Sequence, residues 1–233
     1  MRRSIDPWGS DFGARHISRN TQTGLDSSQK RCAQPRCCII SPMLLVQRPD
    51  EAAIVRFLED QRHQPFSYPE IGATRSVTPT GYNIDHNRIR LGDGPDAFAR
   101  AVEALRHWKM FDLGWVTLVP GDAPISEGSC VAIVVKHFGF WSLNASKIVY
   151  VDADHGPEQR FAFAYGTLPG HVERGEERFS VEYHPEDDSV WYDLFAFSRP
   201  QNLLATIGYP VSRRLQRRFA RDSLRAMKDA VRI

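Results

Sequence analysis

No apolar run in this 233-residue sequence approaches the roughly 18 continuous residues that a membrane-spanning helix requires. The most apolar early segment, Cys37 to Val46, is short and is broken by Ser41-Pro42. The N-terminal region also lacks the apolar stretch of a secretory signal. Cysteine is scarce: Cys32, Cys37, Cys38 and Cys130 are the whole complement, and no histidine lies near enough in sequence to complete a zinc spacing. No motif implies a metal or a cofactor, and free thiols in a cytoplasmic chain are the expectation. Gly92-Asp93-Gly94 and the glycines from Gly166 to Gly175 lack the strand–turn–helix setting of a phosphate loop and read as turns. With 42% hydrophobic and 25% charged residues, the composition excludes a wholly disordered chain or a collagen-like repeat.

Residues 1–45 carry polar residues and arginine with little periodicity, and read as a disordered leader or as sequence upstream of the true start. A single α+β domain is expected over residues 46–233. Asp50 is a plausible N-cap for a short helix through Ala53, Val55, Phe57 and Leu58. Gln64 to Gly81, punctuated by prolines, should be an extended loop. Asn87–Gly92 reads as a strand, and Gly94-Pro95 opens a helix with Phe98, Ala101, Val102, Leu105 and Trp108 on one face. The period then changes to two. Strands are expected at Trp115–Val119, Cys130–Phe138, Lys147–Asp152, Arg160–Leu168, Glu177–His184 and Val190–Phe197, with Gly139 to Asn144 among the turns. In the fourth of these, Phe161, Phe163 and Tyr165 alternate with Ala162, Ala164 and Gly166, so one face is bulky and the other suits a close neighbour. A long final helix begins near Val211, with Val211, Leu215, Phe219, Met227 and Ala230 on its apolar face.

Short connections make the strands antiparallel neighbours. The predicted fold is α+β: a curved antiparallel sheet of about seven strands wrapped on a long C-terminal helix, the helix-grip arrangement of START-like and Bet v 1-like proteins. Several segments carry a family resemblance. They are Tyr68-Pro69-Glu70-Ile71-Gly72-Ala73-Thr74, Phe111-Asp112-Leu113-Gly114-Trp115, Phe163 to His171, Gly175 to Phe179, Phe197-Ser198-Arg199-Pro200 and Arg213 to Phe219. Together they resemble the uncharacterised UPF0548 (DUF1990) family over roughly residues 53 to 230. The resemblance implies no reaction.

The densest polar cluster runs from Gly170 to Arg178. His171 and Glu173 could act as a base and its orienting carboxylate, or join Glu176 or Glu177 as metal ligands; a solvated hairpin with mutually paired charges is the plainer alternative. Asp193 lies in an otherwise apolar strand and needs a partner, Arg178 or Arg199, unless it faces an internal cavity. His137 reads as a core or rim histidine. An enzyme built on His171, Glu173, Glu176 and Asp193 requires all four to converge on one pocket. Trp115, Trp141, Tyr165 and Tyr192 are candidates to contact a small hydrophobic ligand, against the reading that they are simply core. Arg214, Arg217, Arg218 and Arg221 are candidates to bind an anion, whether a peripheral membrane surface, RNA or an acidic partner, against a merely solvated face.

The formal net charge of +2 conceals a division. Seven Lys and Arg stand against three Asp and Glu in residues 1–45, fifteen against twenty-three in residues 46–200, and eight against two thereafter. The acidic body disfavours a long polyanion such as a nucleic acid, and no nucleic-acid-reading module is identifiable. Three readings follow: a binder of a small hydrophobic ligand held between sheet and final helix, an acid–base enzyme, or an interaction module using the basic helix.

Overall fold

The computed structural model describes residues 43–156, 158–201 and 209–232. Strand β1 (Met43–Leu45) precedes helix α1 (Glu51–Arg62), whose N-cap Asp50 accepts the Ala53 amide at 2.7 Å. Strand β2 (Asn83–Asp93) runs directly into helix α2 (Gly94–Arg106), with Pro95 in its first turn. Six strands follow: β3 (Val116–Val119), β4 (Cys130–His137), β5 (Phe140–His155), β6 (Gln159–Thr167), β7 (Glu173–His184) and β8 (Ser189–Pro200). Helix α3 (Tyr209–Val231) closes the fold.

The main sheet has the order β2-β8-β7-β6-β5-β4-β3, with every neighbouring pair antiparallel. This curved sheet with a long C-terminal helix on one face is a helix-grip arrangement. Strand β1 pairs with Trp141–Leu143 of β5, so Met43–Leu45, expected in the leader, form a strand of the sheet. The remainder of the leader, with Cys32, Cys37 and Cys38, lies outside the described residues. The expected turn over Gly139 to Asn144 is also shorter than the sequence suggests. Phe138 and Gly139 alone reverse the chain, at φ 50° and 82°, and Phe140 already pairs with His137. A two-residue turn with both φ values positive matches the twist of a hairpin, which leaves Asn144 inside a strand.

Helices α2 and α3 cover one face of the sheet; α1 and the segment from Phe66 to Arg75 cover the other. Ala97, Ala101 and Ala104 let α2 approach closely, and they share a core with Phe163, Phe179 and Tyr192. On the opposite face Ile54, Phe57 and Leu58 of α1 pack on Ala132, Val134, Leu143 and Ala145. Coverage on both faces explains why Val131 to Val135 reads as a continuous apolar run. The small side of β6 has the same cause. A Cβ at Gly166 would stand 2.1 Å from the Tyr68 hydroxyl, because the 66–68 segment lies directly on that strand.

Helix α3 buries Ala220, Ser223, Met227 and Val231, at helical spacing. Val211 and Ala230, expected on that face, are instead exposed, while Leu215 and Phe219 are partly buried. The stripe is rotated toward Ser223, whose hydroxyl meets that of Tyr192 at 2.9 Å. No helix among the described residues is long and apolar enough to cross a membrane.

A candidate ligand cavity beneath the C-terminal helix

The register of the sheet sets one transverse row on the helix-covered face: Asp85 of β2, Ala196 of β8, Glu177 of β7 and Tyr165 of β6. The adjoining row, Leu194, Phe179 and Phe163, is bulky and fills the space against the helices. Around the first row the side chains at Ala196, Gly175 and Ser198 are small, and a cavity of about 470 Å³ remains between sheet and α3. Gly175 is required there. Its φ is 155°, and a Cβ would fall 1.9 Å from the Phe197 carbonyl oxygen. Val116, Ile133, Val135 and Leu194 supply apolar wall from the strands, and Leu215 and Phe219 supply it from α3.

Ionisable groups stand within these walls. Tyr165 Oη donates to Glu177 Oε2 at 2.5 Å. Burial pushes the Glu177 carboxyl up to about 7, against the lowering effect of that hydrogen bond; the charges of Asp85 and Glu173 push the same way as burial. The Tyr165 phenol is raised well above its ordinary value, chiefly by burial. His171 Nδ1 accepts the Glu173 amide at 3.0 Å, so the neutral ring carries its proton on Nε2; burial lowers this histidine to about 4. Burial also raises the Glu173 carboxyl. Glu173 accepts from Gln216 Nε2, which also donates to Ser198 Oγ at 2.9 Å. Near neutral pH Glu177 can therefore give up or take a proton inside an apolar space, while His171 stays uncharged.

The same side chains tie α3 to the sheet. Arg213 makes a two-pronged pair with Asp85, one contact at 2.7 Å. Farther along, Trp115 Nε1 donates to Asp222 at 3.1 Å, and Arg100 Nε donates to the Val231 carbonyl at 3.0 Å. The roof of the cavity is thus held at its start, middle and end.

The candidate residues divide between the two faces. His171, Glu173, Trp115 and Tyr165 line the cavity. Glu176 also borders the cavity, but its carboxylate, like that of Asp193, is bonded on the other face of the sheet, so the four acid–base candidates do not converge. Alternation along β7 and β8 dictates this, since each lies one residue out of phase with the inward Glu177 and Leu194. Buried Glu176 accepts from the Tyr68 hydroxyl at 2.6 Å and from the Gly72 and Thr74 amides at 2.7 and 3.0 Å, with the Thr74 hydroxyl also engaged. It anchors the loop that covers the sheet. Asp193 lies between His86 Nε2 at 2.5 Å and Arg178 Nη2 at 2.9 Å and does not line this cavity. Arg199, the other expected partner, stacks instead over Tyr82.

Trp141 lies against the α1-side core with Arg48 and Lys136 over its ring. Tyr192 is wholly buried and spent on Ser223. His137, at the end of β4, is partly buried, which lowers its pKa. Arg214, Arg217, Arg218 and Arg221 are all exposed. Arg218 lies over Trp115 and contacts Asp222, which Arg221 also contacts, and Arg217 and Arg221 border the cavity. Asp85, Gln216 and Arg213 were not among the candidates, and Glu177 appeared only as a metal ligand. Extending the alternation back from Phe179 would have placed Glu177, Gly175 and Glu173 on one inward face.

Among the described residues, Glu158, His184 and Glu186 are near enough to one another to share a metal. Arg88 Nη2 stands 2.8 Å from His184 Nε2, however, and puts a cation where the metal would bind. This group is made of hairpin ends and lines no part of the cavity.

Comparison with known proteins agrees with the motifs. The sequence matches the family described as "Domain of unknown function (DUF1990)" over residues 67–226. A UPF0548 protein of Dictyostelium discoideum is 35% identical over 207 residues, covering 81% of this chain and 96% of that protein. A UPF0548 protein of Deinococcus radiodurans is 36% identical over 197 residues, covering 79% and 97%. Among solved structures, a hypothetical protein from Helicobacter pylori aligns with a TM-score of 0.48 at 11% identity, over 72% of this chain and 96% of its own. Human STARD10 aligns with a TM-score of 0.38 at 11% identity, over 79% and 80%. By the extent of the sequence match, the chain belongs to the DUF1990 family, whose named relatives here are UPF0548 proteins.

Proposed function

We propose that this protein binds one small, mainly apolar ligand in the cavity between the sheet and α3. The observation that carries the reading is the space itself: about 470 Å³ whose exposed wall is mainly apolar, with polar groups such as Glu177, Glu173, His171 and Asn144 set among the aliphatic and aromatic side chains. That size falls within the usual range for small-molecule sites, and a largely apolar wall with sparse polar groups is their common chemistry. A core meant only for stability would fill this space, because unfilled volume costs packing energy. Here the small residues at Ala196, Gly175 and Ser198 keep it open while α3 is hydrogen-bonded over it.

The test is native mass spectrometry of the purified protein for a retained small molecule, followed by titration with the neutral fluorophore phenylnaphthylamine. One retained mass, or one saturable site for the fluorophore, is expected. A protein that arrives without a retained mass and shows no saturable binding would overturn the reading.

A further inference from the structure

Building on the proposed ligand cavity, we infer that its occupant carries a basic nitrogen, held as an ammonium group against the Glu177 carboxylate. The polar lining is unequal in sign. Glu177 and Glu173 both face the cavity, and neither makes an ion pair among the described residues. Glu177 Oε2 accepts the hydrogen bond from the Tyr165 hydroxyl, which leaves Oε1 without a hydrogen-bond partner among the described residues. From β2, Asp85 adds a third carboxylate, already matched by Arg213 of α3. No lysine among the described residues lines the space. His171, on the segment leading into β7, is held neutral and contributes one N–H. On the same face of β8 as this row, Tyr192 is bonded to Ser223.

The remaining cations, Arg217 and Arg221 of α3, are exposed, so water and salt screen them. An anionic ligand group beside Glu177 and Glu173 would meet carboxylates, with only the solvent-exposed Arg217 and Arg221 to offset them, whereas an ammonium group would supply the missing partner. The walls suit the same ligand, since Phe111 and Phe219 set aromatic rings, which attract a cation, among the apolar lining. The ligand class is therefore a compact aryl or alkyl amine, with its hydrocarbon against Leu215, Phe219 and Val135 and its nitrogen at the Glu177–Tyr165 pair.

Three probes of equal hydrocarbon content decide the matter: naphthylethylamine, naphthylethanol and naphthylpropionate, titrated calorimetrically into the full chain at about pH 8, where Glu177 is ionised. The amine should bind about tenfold or more tighter than the alcohol, with the carboxylate weakest, as expected for a charge-assisted hydrogen bond in an apolar site. In Glu177→Gln that preference should disappear while alcohol affinity changes by less than about threefold, so alcohol binding also reports that the variant is folded. Equal binding of amine and alcohol by the unaltered protein, or tighter binding of the carboxylate, overturns the inference and leaves the cavity reading intact. Preference for the amine that survives in Glu177→Gln overturns the assignment to Glu177. Failure of all three probes to bind overturns both.

Discussion

Glu177 and His171 sit in one cavity with pKa values displaced in opposite directions, and their substitution should split the pH dependence of stability. The Glu177 carboxyl moves from 4.5 to about 7 and the His171 imidazole from 6.5 to about 4. Each displacement corresponds to about 3 kcal/mol when the linkage is fully expressed. For Glu177 the folded chain keeps a proton that the unfolded chain has lost, so its contribution is present below about pH 4.5 and is lost as pH rises through about 7. For His171 the unfolded chain takes up a proton that the folded chain refuses. Its contribution is present above about pH 6.5 and is lost as pH falls through about 4. Over the shared interval the two slopes oppose each other in the unaltered protein. Glu177→Gln removes one slope and should leave a stability that rises with pH from about 4 to 6.5, by up to about 3 kcal/mol. His171→Asn should show the reverse, a fall between about pH 4.5 and 7 of similar size, to which the raised Glu173 adds. Urea unfolding at constant ionic strength across this range measures both, with an unchanged m-value showing that the extent of unfolding is the same. Parallel stability curves for the three proteins would refute the buried, cavity-facing placement of both groups.

Other substitutions probe what surrounds the cavity. Gly166→Ala places a methyl 2.1 Å from the Tyr68 hydroxyl and displaces it from Glu176. Overpacking and the lost bond to a carboxylate together should cost about 3 kcal/mol in urea unfolding, whereas Tyr68→Phe, which removes the bond alone, should cost less. Arg213→Met leaves Asp85 without its cation at the start of α3. It should lower stability by about 2 kcal/mol and speed amide hydrogen exchange in the first turns of that helix more than in the central strands.

The order of elements was legible because local patterns carry it: a period of two from β3 to β8, helical spacing in α2 and α3, and Gly94-Pro95 at a helix entry. The small face of Ala162, Ala164 and Gly166 even announced a close neighbour, which the structure identifies as the 66–68 segment. The candidate site was less legible because the side of a sheet that a residue faces depends on where its strand begins. The segment from Gly170 to Arg178 reads as a charged hairpin when the strand is started at Glu177. Started at Glu173, the same letters give an inward row of Glu173, Gly175 and Glu177. Asp193 gave no such clue, since both faces of β8 are covered and polarity alone does not say which face holds an arginine. Partners far apart in the chain were beyond local reading altogether: Asp85 and Arg213 are 128 positions apart and are brought together only when α3 closes over the sheet.

The central claim is that the space over the Asp85–Ala196–Glu177–Tyr165 row is a ligand site, and Ala196→Trp tests it most directly. Ala196 lies in the middle of that row and lines the cavity, so an indole there occupies the volume without disturbing the strand registers on either side. Titration of phenylnaphthylamine into Ala196→Trp and the unaltered protein, each with its melting temperature measured, should show the saturable site lost while the protein still melts cooperatively. Undiminished binding by a folded Ala196→Trp would contradict the claim.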